Sequence, residues 1–288
     1  MKPLDILMAI SVPVIWGMGF TFAKVAFVHA DFPPILLMAF RFTLTALILV
    51  WFVKPPWGQM RAVFWIAFVS ATIQYSLTFT GLTGIDASTA IIIVQLEFPF
   101  MAILAAILLK DHMRRVQIAG ILVAIIGILL IAGQPDLQGE IKYIALLTGG
   151  ALTWAIGQIM IKKLKNPING FSLIAWVAVF AAPQLFAMSW LIEDNQFEVV
   201  RTTNWIGWAV VVYLGVVMTA VGYAIWYHVL GKYPVSQIGP FLLLLPVSSI
   251  AGSVILLGET LSKQEIIGAT IVIFGVWTVT RNPAVKPD

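Results

Sequence analysis

The sequence predicts an all-α integral membrane protein, with about ten transmembrane helices arranged as two inverted five-helix repeats around a central cavity. Three observations predict it. Of the 288 residues, 60% are hydrophobic and 10% charged, whereas a soluble domain carries roughly a quarter charged residues. Apolar runs of about 20 residues, the length that crosses a hydrocarbon core of about 30 Å, recur along the whole chain. The chain also matches itself in order. A shift of 138 positions lays Trp16, Gly19 and Lys24 on Trp154, Gly157 and Lys162. A shift of 148 lays Tyr75, Leu82, Ser88, Gly120 and Gly127 on Tyr223, Leu230, Ser236, Gly268 and Gly275, with Asp111 against Glu259. The change of offset puts about ten extra residues in the acidic stretch from Glu193 to Arg201. This is an internal duplication, 1–137 and 138–288. An odd number of spans per half makes the second copy enter from the opposite side, a plan that recurs in secondary transporters.

The predicted spans are 5–25, 34–53, 62–83, 87–109, 115–133, 141–161, 171–191, 204–229, 235–257 and 264–281. The first is too long for a signal peptide and shows no small-residue cleavage pattern before Lys24, so it is read as retained. Trp16 and Phe20, four apart, share one of its faces. The second carries Arg41, the one deeply placed cation, which either pairs with an acid, snorkels to a headgroup or meets a substrate carboxylate. In the third, Gln74 and Thr78 stack on one face, with Tyr75 beside them.

The fourth span holds Gln95 and Glu97 near its middle, about 200° apart around the helix. Glu97 is the one carboxylate deep within a span. It is either a substrate-ammonium or proton-coupling group, or a neutral helix contact. Gly120, Ala124 and Gly127 in the fifth span, with Gly268 and Gly275 in the tenth, form small-residue stripes for close packing, within the chain or between two copies in a homodimer. The sixth presents Trp154 and Gln158, at places equivalent to Trp16 and Phe20. The seventh contains Pro183. In the eighth, Tyr223 and Tyr227 stack with Trp226 adjacent. The ninth contains Pro240 and Pro246. Proline removes a backbone donor and kinks a helix, and Pro99 and Pro246 fall at nearly equivalent places, as hinges or as fixed kinks. Ser262 and Glu265 have capping-box spacing at the start of the tenth span.

With the N-terminus inside, twelve Lys and Arg fall in inside segments and four in outside ones, which predicts cytoplasmic N- and C-termini. The net charge of +4 therefore reports orientation and lipid headgroups, not nucleic acid. There is no cysteine, and His29, His112 and His228 are far apart. No HExxH, GxSxG or phosphate-binding loop is present, so nothing in the chain calls for an enzyme, a metal or a cofactor.

Arg41 and Phe42, the Trp154 to Lys163 region, the run from Tyr223 through Tyr233 and Pro246 to Glu259, and Gly258, Glu259, Thr260, Leu261 with Gln264 and Gly268 resemble the EamA family of the drug/metabolite transporter superfamily, over nearly the whole chain. The resemblance implies a ten-helix basket whose cavity is lined by the first, third, fourth, sixth, eighth and ninth spans, with the fifth and tenth peripheral. It also implies efflux of amino acids, aromatic and other neutral ones, and related metabolites through the bacterial inner membrane by alternating access. The run from Gly222 to Glu259 looks closest to bacterial exporters of cysteine-type and aromatic amino acids. Lys110 and Asp111 depart from the Gly258–Glu259 pattern of the second half. The expected substrate pathway is Trp16, Phe20, Gln74, Tyr75, Thr78, Gln95, Glu97, Trp154, Gln158, Tyr223, Trp226 and Tyr227. Aromatic faces, amides and hydroxyls suit a neutral amino acid. A carrier of nucleotide sugars or phosphorylated metabolites would be expected to bury more Lys or Arg than Arg41 alone; a passive channel is the other alternative.

Overall fold

The computed structural model describes residues 2–109, 115–132, 140–164, 166–230, 232–233, 241–242 and 244–281. Among these residues every regular element is helical and there is no strand. In chain order they are α1 (Pro3–Ala30), α2 (Pro34–Leu49, continued by a tight turn to Phe52), α3 (Met60–Thr83), α4 (Ala87–Leu108), α5 (Arg115–Ala132), α6 (Ile141–Lys162), α7 (Gly170–Ile192), α8 (205–230), α9 (Leu244–Leu257) and α10 (Lys263–Arg281). A short helix, Gln196–Thr202, occupies the acidic stretch between α7 and α8. Seven helices, α1 to α4 and α6 to α8, are long and apolar enough to cross a membrane, and α9 is a shorter apolar helix. Lys110, Asp111, Ser236, Pro240 and the junction expected at 137/138 lie outside the described residues.

Most helix ends fall within two residues of the predicted spans. The exceptions are α9, whose described helix begins at Leu244, nine residues after the predicted start at 235, and α1, which continues five residues past its predicted end, to Ala30. Lys24 does not stop it, because its ammonium donates to the carbonyls of Leu82, Thr83 and Ile85 at 3.0, 3.1 and 2.8 Å, which satisfies a buried charge and caps the C-terminal end of α3. The helix ends instead where Asp31 turns left-handed, φ 46°, ahead of Pro33 and Pro34.

Three helices are irregular inside. α3 widens into a π-helical turn over Phe68–Ile73 and α8 into one over Tyr213–Val221, at places that the 148-residue shift brings into overlap. α4 breaks at Gln95 and Leu96. Pro99 has no N–H to offer the Gln95 carbonyl and its ring would crowd that oxygen. The carbonyl takes the Phe98 N–H instead, at 3.2 Å, in a tighter turn. The kink expected from Pro99 is thus a break in the helix, and Pro246 sits three residues into α9.

The helices pair in a regular way: α2 runs along α7, α5 along α10, α1 packs on α8 and α9, and α6 on α3 and α4. Exchanging the first five with the last five returns the same set of neighbours. Between α5 and α10 the small-residue stripes meet within the chain. A Cβ on Gly127 would press on the Gly268 carbonyl and Val272, and one on Gly275 on the Gly120 carbonyl and Ala124.

At one end of the bundle, acidic side chains tie elements together through helix N-termini, where backbone N–H groups lack intrahelical partners. Glu193 accepts from the Ile35 and Leu36 N–H groups at 2.6 and 2.9 Å and from Ser189 Oγ at 2.7 Å. Burial pushes its carboxyl up in pKa, against the pull of those donors. Glu259 accepts from the Ala87 and Ser88 N–H groups at 2.8 and 3.1 Å and from Ser88 Oγ at 2.6 Å. The capping box forms: Glu265 accepts from the Ser262 N–H at 2.7 Å, and its own N–H donates to Ser262 Oγ at 3.1 Å. The same carboxylate also accepts from Thr89 Oγ1 at 2.6 Å. At the opposite end Asp5 holds Lys232 at 3.1 Å and Tyr233 Oη at 2.8 Å.

Candidate functional site

The third helix of each half and its π turn place the residues that matter here. In α8 the wide turn lets Thr219 Oγ1 donate to the Leu214 carbonyl, five residues back, at 2.8 Å. The Met218 carbonyl beside it accepts from Trp16 Nε1 at 3.0 Å. Single π turns recur at functional sites because they aim backbone and side chains off the helical register. Gly222 leaves room for the indole, since a Cβ there would stand 2.6 Å from Trp16 Nε1.

Around that bond an aromatic wall assembles. Trp16 lies against Tyr223 and Trp226, ring centres 4.9 and 5.9 Å away. One turn further along α1, Phe20 stacks on Phe79 at 5.6 Å, and Phe79 stacks on Tyr75 at 5.6 Å. Phe42 meets Tyr75 edge-on at 5.1 Å. The wall thus draws on α1, α2, α3 and α8, from both sides of the expected duplication. Pairs of this kind contribute about 0.5–1.5 kcal/mol each beyond the area they bury.

Arg41 stands behind it, 3% exposed. Its guanidinium lies 4.8 Å from the centre of the Tyr75 ring and 5.3 Å from that of Phe42. Nε and Nη2 each reach Thr219 Oγ1 at 3.4 Å, Nη2 reaches Tyr75 Oη at 3.5 Å, and Nη1 faces Met38 Sδ at 3.7 Å. All are long beside a charge-assisted bond of about 2.7–2.9 Å. The ion pair found among the described residues, Lys232 with Asp5, is at an end of the bundle. A buried charge without a counter-ion costs about 3–5 kcal/mol. Two desolvated cation–π contacts return about 2 kcal/mol apiece, so the rings make the charge tolerable without making it a source of stability.

The other expected pathway residues lie apart from this cluster or at its margin. Gln74 and Thr78 are buried on α3, where Gln74 Nε2 donates to Thr78 Oγ1 at 3.1 Å, while Gln74 Oε1 finds no partner among the described residues. Gln95 is buried at the break in α4. Glu97, half-buried, opens the first turn after the break and has no ion-pair partner among the described residues. Trp154 and Gln158 are half-buried on α6, with Trp154 6.2 Å from the Phe98 ring. The side chain of Tyr227 lies outside the described residues. An open cleft of about 500 Å³ lies between the α2–α3 and α6–α7 connections, lined by Lys54, Gln59, Asn169 and Ser172 among others, and none of the pathway residues reaches it. Phe42, Phe79, Thr219 and the Met218 carbonyl join the wall without having been expected there. The four-residue spacing of Tyr75 and Phe79 was a usable signal; the π turn that aims Met218 and Thr219 left none.

The fold and this wall define an all-helical, multi-pass membrane protein. The chain belongs to the EamA-like transporter family, whose model matches it twice, over residues 4–133 and 141–281. A relative in Salmonella typhimurium, described as a probable amino-acid metabolite efflux pump, is 30% identical over 96% of this chain and 95% of its own. One in Escherichia coli with the same description is 29% identical over 96% and 95%. An uncharacterized transporter of Archaeoglobus fulgidus is 28% identical over 93% and 95%. A crystal structure superposes with a TM-score of 0.65 over 97% of this chain and 98% of its own, at 17% identity, a likeness of fold alone.

Proposed function

We propose that this chain is a secondary transporter that exports aromatic and other neutral amino acids, with related small metabolites, across the bacterial inner membrane. Its ten helices act as two inverted repeats, 1–137 and 138–288, that expose a central site to each side in turn, with both termini in the cytoplasm. The observation that carries the reading is the aromatic wall built jointly by α1, α3 and α8, with Trp16, Tyr75 and Tyr223 at its centre. Such a surface holds an apolar side chain while nearby hydroxyls and carbonyls hydrogen-bond the polar end of the ligand. The exchangeable helix pairing and the double family match support two equivalent halves. The names of the bacterial relatives support amino acids as cargo.

The test is counterflow in proteoliposomes loaded with single amino acids and followed with labelled phenylalanine. Saturable exchange, competed by methionine, threonine or cysteine, is the expected result. Folded protein that exchanges no amino acid removes the reading. Exchange of phosphorylated metabolites in the same vesicles would replace it with that class of carrier.

A further inference from the structure

We propose that Arg41 is the carboxylate anchor of the transport site, the group that makes a free amino acid a better ligand than its amide or its amine. The inference rests on the amino-acid reading above and adds a residue and a selectivity to it.

Arg41 is buried in a helix of membrane-crossing length, where a charged side chain is by default functional. The guanidinium carries a permanent charge and a planar fork of donors shaped for a carboxylate. Here that fork is spent on two hydroxyls and a thioether sulfur, at 3.4 to 3.7 Å, and on no acid among the described residues. The partners are weak, neutral and few, and a carboxylate could displace them. They also belong to the wall: Tyr75 stacks in it, and Thr219 follows the residue whose carbonyl fixes Trp16. A ligand whose ring lies on the wall therefore brings its polar end within reach of the fork. Because Thr219 is on α8 and Arg41 on α2, a carboxylate that captures the guanidinium also loosens a contact between the two halves. Binding is thereby coupled to their relative movement.

The experiment compares phenylalanine, phenylalaninamide, phenethylamine and hydrocinnamate as competitors of phenylalanine counterflow and as thermal stabilisers of the purified protein. Wild type should prefer the free acid over the amide by about 10- to 100-fold, the worth of a hydrogen bond to a charged group. Arg41→Gln should bind acid and amide alike, and Arg41→Lys, which keeps the charge without the fork, should fall between. Wild type that binds acid and amide equally overturns the anchor without recourse to any variant, so misfolding of Arg41→Gln does not shelter it. A folded Arg41→Gln that still discriminates overturns it as well. If no amino acid is exchanged but hydrocinnamate stabilises wild type and not Arg41→Gln, the amino-acid reading falls and the anchor stands. If phenylalanine and its amide exchange equally, the anchor falls and the exporter stands.

Discussion

Trp16 does two things with one side chain. Its ring closes the wall on Tyr223 and Trp226, and its N–H donates to the Met218 carbonyl in the π turn of α8. Trp16→Phe keeps most of the stacking and removes the hydrogen bond to the Met218 carbonyl, so it should destabilise the protein by about 0.5–1.5 kcal/mol. A thermal melt in detergent reads this, and a melt at the wild-type temperature would show that the bond carries no weight. This residue was legible in the sequence because an aromatic deep in an apolar run stands out, and its four-residue spacing to Phe20 fixed the shared face. Arg41 was legible as a deep cation, but what surrounds it was not. Phe42 is its neighbour in the chain, but Tyr75 reaches it from α3 and Thr219 from across the bundle, contacts that no local spacing encodes.

At the scale of the element, α4 is held at its start and broken in its middle. Glu259, arriving from beyond α9, supplies the acceptor that Asp86 does not at this N-terminus. Glu259→Ala frees two backbone donors and Ser88 Oγ, and should cost about 1–2 kcal/mol, the range of an N-cap loss, read by the same melt. The break at Gln95 has a different consequence. If Pro99 is a hinge, Pro99→Ala restores the N–H that would bond the Gln95 carbonyl at regular helical spacing in place of Phe98, heals the helix and slows counterflow several-fold, leaving substrate affinity unchanged. An unaltered exchange rate would make the break a fixed kink. The spans themselves were readable to within a few residues, since length and apolarity decide them. The π turns of α3 and α8 were not: a single inserted residue in the ladder leaves no mark on an apolar pattern, and is fixed by what packs against it.

For the whole molecule, the proposed inverted repeat implies a geometry that can be tested from the two sides of a membrane. The main helix pairs named above map onto one another when the first five helices are exchanged for the last five, and five is odd, so if all ten helices cross the membrane, as proposed, equivalent connections in the two halves emerge on opposite faces. The α2–α3 connection carries Trp57, 77% exposed, and the α7–α8 connection carries Phe197, 69% exposed. The chain has no cysteine of its own, so Trp57→Cys and Phe197→Cys each create a single reactive thiol. In right-side-out vesicles an impermeant maleimide should label Phe197→Cys and spare Trp57→Cys, and inverting the vesicles should reverse the result. Labelling of both from one side would end the inverted arrangement and the exchange of halves built on it. Labelling of opposite faces in the reverse sense would keep the inversion and place the termini outside, against the twelve-to-four distribution of basic residues.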